Sequence, residues 1–259
     1  MSRARVAVVV MAKDPVPGRT KTRLQTRLTE SEAADLYASM LADRCDQIRA
    51  LDDVVPAIAI ADWDGTDPRP AIVPADFTAV PQPAGGLGAG LAAAADHFLR
   101  QGIAVALVDG DSPTLPLARL AEAVDRLRGE ATEGASDVTI IPSNDGGYCL
   151  IGLRRSAPSL FSDIPWSTDE VVPRTLERAE ALGLRTHVLP AWWDVDDGED
   201  FDRLEQSLLS SWWPRRTADW LRARRRRAEP RVESSVPEDE LWRSPWTRCA
   251  SARARGPAT

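Results

Sequence analysis

Apolar residues in this chain fall into short runs of two kinds, and the alternation of those runs sets the expected architecture. Val6-Ala7-Val8-Val9-Val10-Met11 is a continuous run rich in β-branched residues, the pattern of a strand buried on both faces. Val54–Ile60 and Ile103–Val108 repeat it, and weaker strands are predicted near Phe77–Val80 and at Thr186–Leu189. Val138–Ile141 and Tyr148–Leu153 flank Asn144-Asp145-Gly146-Gly147 as a strand pair. Between the strands lie predicted helices: Ala33–Ile48, an alanine-rich stretch ending at Leu99, a helix opened by Pro116 and running to Leu127, one reaching about Leu182, and Asp197–Leu208. Thr29-Glu30-Ser31-Glu32 and Ser167-Thr168-Asp169-Glu170 read as capping boxes at two of the helix starts. Such alternation predicts an α/β domain with one mostly parallel sheet and helices on both faces. Ligands of these sheets bind beyond the carboxyl ends of the strands.

Three polar segments fall at or near such ends. The first strand is followed by Lys13-Asp14-Pro15-Val16-Pro17-Gly18-Arg19-Thr20-Lys21-Thr22-Arg23-Leu24. Its prolines and glycine force a turn, and Lys13, Arg19, Lys21 and Arg23 crowd it with positive charge. The chain has 32 basic residues but only two lysines, both in this turn. A compact ammonium beside fork-shaped guanidinium groups suits phosphate, so a nucleotide or polyphosphate site is the preferred reading over a solvated basic loop.

Asp109-Gly110-Asp111-Ser112-Pro113 follows the Ile103–Val108 strand. Two carboxylates one residue apart suit a hard divalent cation such as Mg2+; a polar connection punctuated by Pro113 is the plainer reading. Asp194-Val195-Asp196-Asp197-Gly198-Glu199-Asp200 offers either further metal ligands or a helix start with Asp196 as N-cap and Glu199 three residues on. Local rules make Asn144–Gly147 a hairpin turn, while its position leaves Asp145 open to act as a base. The glycines from Gly85 to Gly90 allow close approach of a base or ribose, a weak signal alone. Trp166 and Ser167 read either as a wall of an acceptor pocket or as a core aromatic beside a helix cap.

The charge distribution sharpens this picture. From Ser210 onward twelve arginines face six acids, +6, whereas residues 1–209 hold 20 bases and 33 acids, −13. So acidic a body argues against broad nucleic-acid binding and sets the basic turn apart. Cys45, Cys149 and Cys249 are widely spaced, which fits a reducing cytoplasm, and His97 and His187 are too few and too distant for a zinc site or a histidine triad. No apolar run reaches the roughly 18–20 residues that span a bilayer, and the run at Val6 is too short for a secretory signal. Residues 1–209 are expected to form the nucleotide-binding body and 210–228 an amphipathic helix with Trp220 and Leu221 facing it. Residues 229–259, rich in Arg, Pro and Ser, are expected to be a flexible tail.

Taken together, five segments resemble the bacterial radical-SAM/selenodomain-associated transferase 1 family. They are Ala12-Lys13-x-Pro15-Val16-Pro17-Gly18-Arg19-x-Lys21-Thr22-Arg23-Leu24, Asp111-Ser112-Pro113, Asp145-Gly146-Gly147-Tyr148-x-Leu150-Ile151-Gly152-Leu153, Pro165-Trp166-Ser167-Thr168 and Asp194-Val195-Asp196-x-x-Glu199-Asp200. The sequence departs from the family at Asp109-Gly110, where Gly-Thr is usual, and at Gly88-Ala89-Gly90, where a more polar Gly-Glu-Arg stretch is usual. The resemblance implies a nucleotide-diphospho-sugar transferase (GT-A) fold that binds an activated nucleotide through Mg2+ or Mn2+. It is also similar to 2-phospholactate guanylyltransferases. Carried over, Asp111 and Asp196, with Asp109 and Asp194 beside them, would hold the metal. Lys13, Gly18, Arg19, Lys21, Arg23, Gly86 and Gly88 would bind the nucleotide and its phosphates. Asp145, Gly146, Gly147, Tyr148, Trp166 and Ser167 would face the acceptor, with Asp145, Lys21 and Asp111 carrying the chemistry.

Three functions are compatible with these residues. A glycosyltransferase would move a sugar from a nucleotide-diphospho-sugar to a small-molecule acceptor, and the resemblance favours it. A nucleotidyltransferase would join a nucleoside triphosphate to a phosphorylated small molecule and release pyrophosphate, and four cations in one turn favour that. A non-catalytic nucleotide-binding protein would have less use for the acids opposite the basic turn.

Overall fold

The structure, a computed structural model, describes residues 5–66, 68–129, 135–208 and 214–228. The continuous apolar run becomes β1 (Val6–Ala12), with β2 (Val54–Ile60) and β4 (Ala104–Val108) paired parallel on either side of it. β3 (Thr78–Pro81) lies outside β2; β5 (Val138–Pro142), β6 (Tyr148–Leu153) and β7 (Thr186–Val188) complete a seven-stranded sheet in the order β3-β2-β1-β4-β6-β5-β7. Only β6 is antiparallel to its neighbours, because a tight hairpin returns the chain directly from β5. The α/β architecture expected from the sequence is the one observed.

Successive side chains of a strand point to opposite faces, so β1 feeds two cores. Val6, Val8 and Val10 pack with α1 (Glu30–Arg49), α3 (Leu117–Arg128), α5 (Gly198–Ser207) and Ala218 and Leu221 of α6 (Arg215–Ala228). Ala7 and Val9 pack on the other face with α2 (Gly86–Leu99) and α4 (Val171–Ala181). Burial on both faces is why these strands read as unbroken apolar runs rather than as alternating ones.

Two helix starts differ from the sequence expectation. Asp197, not Asp196, caps α5: its carboxylate accepts from Glu199 N at 2.8 Å and Asp200 N at 3.1 Å, and Asp200 completes the capping box. Asp196 is thereby released for other contacts. The expected box at Ser167–Glu170 does not form. Ser167 takes a left-handed φ of 65°, Thr168 Oγ1 donates to Pro165 O at 2.7 Å, and α4 begins only at Val171. The box at Thr29 and Glu32 forms as expected.

The contacts divide the chain into two units, Met1–Ala223 and Arg224–Thr259. Of the second unit only the last turn of α6 is described, and the expected tail at 229–259 lies outside the described residues. Within the first unit α6 starts on a buried acid of α1. Asp43 accepts from Arg216 N at 2.9 Å, Thr217 N at 2.8 Å and Thr217 Oγ1 at 2.7 Å, doing for this helix what an N-cap residue does locally. Leu221 is buried beside it and Trp220 half-buried, the face expected for this helix. Asp43→Ala leaves three donors unmatched and is expected to cost about 2 kcal/mol of stability. Urea denaturation checks this, and a midpoint equal to the parent's would show the cap contributes nothing.

Candidate active site

The basic turn after β1 is folded by its own backbone. Arg19 N and Thr20 N both donate to Val16 O, at 3.1 and 3.2 Å, while Thr20 Oγ1 donates to Asp14 O at 2.8 Å. The turn ends at Lys21, whose φ of 52° puts a non-glycine residue in the left-handed region before a short 3-10 turn, Thr22–Thr26. That conformation costs roughly 1–2 kcal/mol, and such strain persists where surrounding contacts fix the residue.

Those contacts are electrostatic. Lys21 Nζ lies 2.5 Å from Asp111 Oδ2 and 3.2 Å from Asp196 Oδ1, and its side chain is only 8% exposed. Burial alone would lower the ammonium pKa; the Asp111 and Asp196 carboxylates overcome it and hold the group above its ordinary value. Arg23 Nη1 completes the cluster at 2.7 Å from Asp196 Oδ2. Burial opposes ionisation of Asp196, but the two cations more than offset it and hold the carboxyl below its usual range. Three segments far apart in sequence thus meet on one ammonium group: the β1 turn, the loop after β4, and the loop before α5.

The neighbouring acids have other partners. Asp109 accepts from Arg44 Nη2 at 3.1 Å and from the Ser112 hydroxyl. Arg44 is buried, and it also donates to Asp109 O at 3.1 Å, Ser112 O at 2.8 Å and the Gln47 side chain; Gln47 in turn donates to Leu115 O at 2.7 Å. Two polar residues of α1 therefore strap down the whole loop after β4. Burial, then the adjacent Asp111, push the Asp109 carboxyl upward, with Arg44 opposing. Asp194 accepts from Ser143 Oγ at 2.7 Å, and burial followed by Asp111 pushes it up to about 6.

Two cavities meet at the Lys21 cluster. One, of about 390 Å3, is lined by the basic turn, including Lys13, Arg19, Lys21 and Arg23, and by Tyr37, Ala61 and Gln82. The other, of about 360 Å3, is lined by Asp109, Asp145, Gly147, Tyr148, Trp166 and Asp194 among others. Asp111, Asp196, Arg23, Ser167, Leu87 and Met11 line both. Lys13, Arg19 and Lys21 thus line one cavity, Asp145, Gly147, Tyr148 and Trp166 the other, and Arg23 and Ser167 both.

Not every expected residue lines it. Gly18, Gly86, Gly88 and Gly146 line neither cavity. A Cβ on Gly88 would lie 2.8 Å from Phe161 O and 2.9 Å from Trp166 Nε1, so that glycine lets α2 pack beneath Trp166. Gly146, at φ 96°, turns the hairpin against Asp169, whose Cα would be 2.2 Å from an added Cβ. Trp166 is half-buried, meets Tyr148 edge-on at 6.2 Å and lines the cavity.

Sequence reasoning missed Tyr37, Arg44, Ser143 and Gln82. Tyr37 Oη accepts from Lys13 N at 3.2 Å at the base of the basic cavity. Gln82 Nε2 donates to Ala59 O at 2.7 Å. A signal for Arg44 was present: Asp43, Arg44 and Gln47 sit among core residues of α1 rather than on its solvent face.

A divalent cation fits part of the acidic set. Asp111 and Asp196 converge hard oxygen donors on one point, now bridged by the Lys21 ammonium, and Mg2+ is commonly held by one or two carboxylates with phosphates and waters completing its shell. Among the described residues no three His, Cys, Asp or Glu side chains are grouped as a ready metal cluster. Asp109 and Asp194, the other two carboxylates expected from the sequence, lie close enough to feel the Asp111 charge and are hydrogen-bonded by Arg44, Ser112 and Ser143.

Arg44→Met strands the half-buried Asp109 charge and is expected to cost about 3–5 kcal/mol, much of it recovered by adding Asp109→Asn. A double-mutant cycle in denaturant reads the coupling; additive losses would mean the pair is not a unit.

Residues 44–168 match a family described as uncharacterized protein conserved in bacteria (DUF2064). No curated protein matches the chain. Among solved structures, a protein of Desulfovibrio desulfuricans G20 described as a nucleotide-diphospho-sugar transferase is 27% identical with a TM-score of 0.74, over 85% of this chain and 95% of that one. A cytidylyltransferase of Leptospira borgpetersenii is 14% identical with a TM-score of 0.50, over 87% of this chain and 95% of that one. The 4-diphosphocytidyl-2C-methyl-D-erythritol synthase of Anaerococcus prevotii is 12% identical with a TM-score of 0.50, over 79% of this chain and 96% of that one. Among the described residues no helix is long and apolar enough to cross a membrane. The single mixed seven-stranded sheet is the fold of the nucleotide-diphospho-sugar transferase superfamily.

Proposed function

We propose that this protein is a nucleotide-dependent transferase that moves a sugar from a nucleotide-diphospho-sugar to a small-molecule acceptor. The observation that carries the reading is the meeting of a basic and an acidic cavity on Lys21, Asp111 and Asp196. Likeness to the Desulfovibrio desulfuricans protein described as a nucleotide-diphospho-sugar transferase supports it, as does the resemblance of the sequence motifs to the radical-SAM/selenodomain-associated transferase 1 family.

In this reading Lys13, Arg19, Lys21 and Arg23 bind the donor diphosphate. Asp111 and Asp196 would hold Mg2+ or Mn2+, which when bound neutralises charge growing on the departing phosphate. Fixed cations around that position stabilise the leaving group without reorganising as charge develops. The acceptor occupies the second cavity. Its hydroxyl oxygen bonds to the anomeric carbon as the bond from that carbon to the β-phosphate oxygen breaks. The hydroxyl proton passes to Asp145, whose Oδ1 is fixed by Gly147 N at 3.0 Å; the nucleoside diphosphate leaves with the bonding pair.

One observation favours a second reading, nucleotidyl transfer from a nucleoside triphosphate: four cations line a single cavity, more charge than a diphosphate requires. A thermal-shift panel of nucleotide sugars and nucleoside triphosphates with Mg2+ separates the two by which class raises Tm. Nucleotide sugars are expected to raise it by several degrees; stabilisation by triphosphates alone would favour the second reading, and none by either class would remove both. Lys21→Ala is expected to weaken diphosphates at least about tenfold while leaving the bare nucleoside unchanged, as calorimetry would read. Equal losses for both would count against a phosphate role.

A further inference from the structure

Charge is sorted between the two halves of the cleft more completely than the chemistry of a donor site alone requires. Lys13, Arg19 and Lys21 line only the basic cavity, while Asp109, Asp145 and Asp194 line only the other. Asp109 is matched from behind by Arg44. Asp145 and Asp194 make no ion pair among the described residues: their carboxylates accept from Gly147 N at 3.0 Å and from Ser143 Oγ at 2.7 Å. Arg23, which lines both cavities, already lies 2.7 Å from Asp196 at the junction. Asp145 and Asp194 of the second cavity therefore have no ion-pair partner of their own, and Arg23, the cation that lines the cavity with them, is already paired with Asp196.

Other side chains lining this cavity are apolar or aromatic. Leu87 stands 49% exposed in the first turn of α2, where it lines both cavities, and Trp166 and Tyr148 continue the surface as an edge-to-face pair. An exposed large side chain at a cavity mouth gains from being covered by an apolar body. Flat aromatic walls also give orientation to a ring or chain laid against them.

We propose that the acceptor is a hydroxyl compound without phosphate or other anionic groups, which lays an apolar face on Leu87, Trp166 and Tyr148 and turns its nucleophilic hydroxyl to Asp145 and Asp194. This rests on the transferase reading above and narrows it. A phosphorylated acceptor would bring like charge against the carboxylate wall with its compensating cation already engaged. At such short range that repulsion is worth roughly tenfold or more in affinity. A hydroxyl instead donates to a carboxylate, a charge-assisted hydrogen bond that also prepares its proton for transfer. The acid wall thus selects the acceptor and receives its proton.

The test uses the intact chain with Mg2+ and inorganic pyrophosphate filling the basic cavity, and 2-phenylethanol and 2-phenylethyl phosphate as acceptor probes followed by saturation-transfer NMR titration. The alcohol is expected to bind at least about tenfold more tightly than its phosphate ester. Asp145→Asn combined with Asp194→Asn is expected to bring the two within about threefold, because the wall loses its charge but keeps its shape. An ester that binds the parent protein as tightly as the alcohol, or an alcohol that does not bind at millimolar concentration, overturns the acceptor assignment and leaves the donor site standing. Pyrophosphate that fails to bind, or binds equally well to Lys21→Ala, overturns the transferase reading, and the acceptor assignment falls with it.

Discussion

A single ammonium group holds this cleft together. Lys21 Nζ sits between Asp111 and Asp196, residues 90 and 175 positions away in sequence, and is nearly buried there. Each charge would be costly out of water by itself, and only their mutual pairing makes the arrangement tolerable. The pairing ties the turn after β1 to the loops that follow β4 and precede α5, and it explains why a lysine accepts a left-handed backbone at that position. An ammonium shared by two carboxylates is also primed for exchange. A phosphorylated donor with its cation offers both partners a replacement: anionic oxygens for the lysine, a divalent ion for the acids.

The rest of the fold keeps those three segments at one edge. β1 is buried on both faces and flanked by parallel partners, so its carboxyl end and that of β4 open on the same side. The antiparallel β6 brings the Asn144–Gly147 hairpin to that side as well, and Asn144 N bonds Trp192 O at 2.9 Å, fixing the segment that leads into Asp194. Behind the edge, Arg44 and Gln47 of α1 hold the loop from Asp109 to Leu115 by its carbonyls. The acidic side of the cleft is therefore braced by hydrogen bonds from α1, and the basic side is tied to it mainly by charge.

How much of this could be read beforehand follows from how local each feature is. Strand runs such as Val6–Met11 and the Thr29 capping box depend on neighbouring residues alone and were legible. The gathering of Lys21, Asp111, Asp145 and Asp196 at one edge was legible because an α/β sheet sends the ends of its parallel strands to one side. Asp196 and Ser167 each offered a helix-cap reading beside a cleft reading: both sequences satisfy the local capping rule, but Asp196 is drawn to Lys21 and Arg23, and Ser167 lines the cleft. The partners of Asp109 and Asp194 were invisible, since Arg44 and Ser143 come from other elements and a carboxylate in sequence does not announce which cation or hydroxyl will claim it. Gly88 carried a signal for small size, though the cause is Trp166 packed above it rather than a ligand.

The most direct measurement is a crystal structure of the protein with Mn2+ and a nucleoside diphosphate, in which the anomalous signal of the ion marks its place independently of the refined side chains. The ion is expected against Asp111 and Asp196, with Lys21 Nζ turned from Asp111 onto a phosphate oxygen. An ion elsewhere, or phosphates bound while the Lys21–Asp111 pair stays closed, would contradict the view that this ammonium guards the donor site.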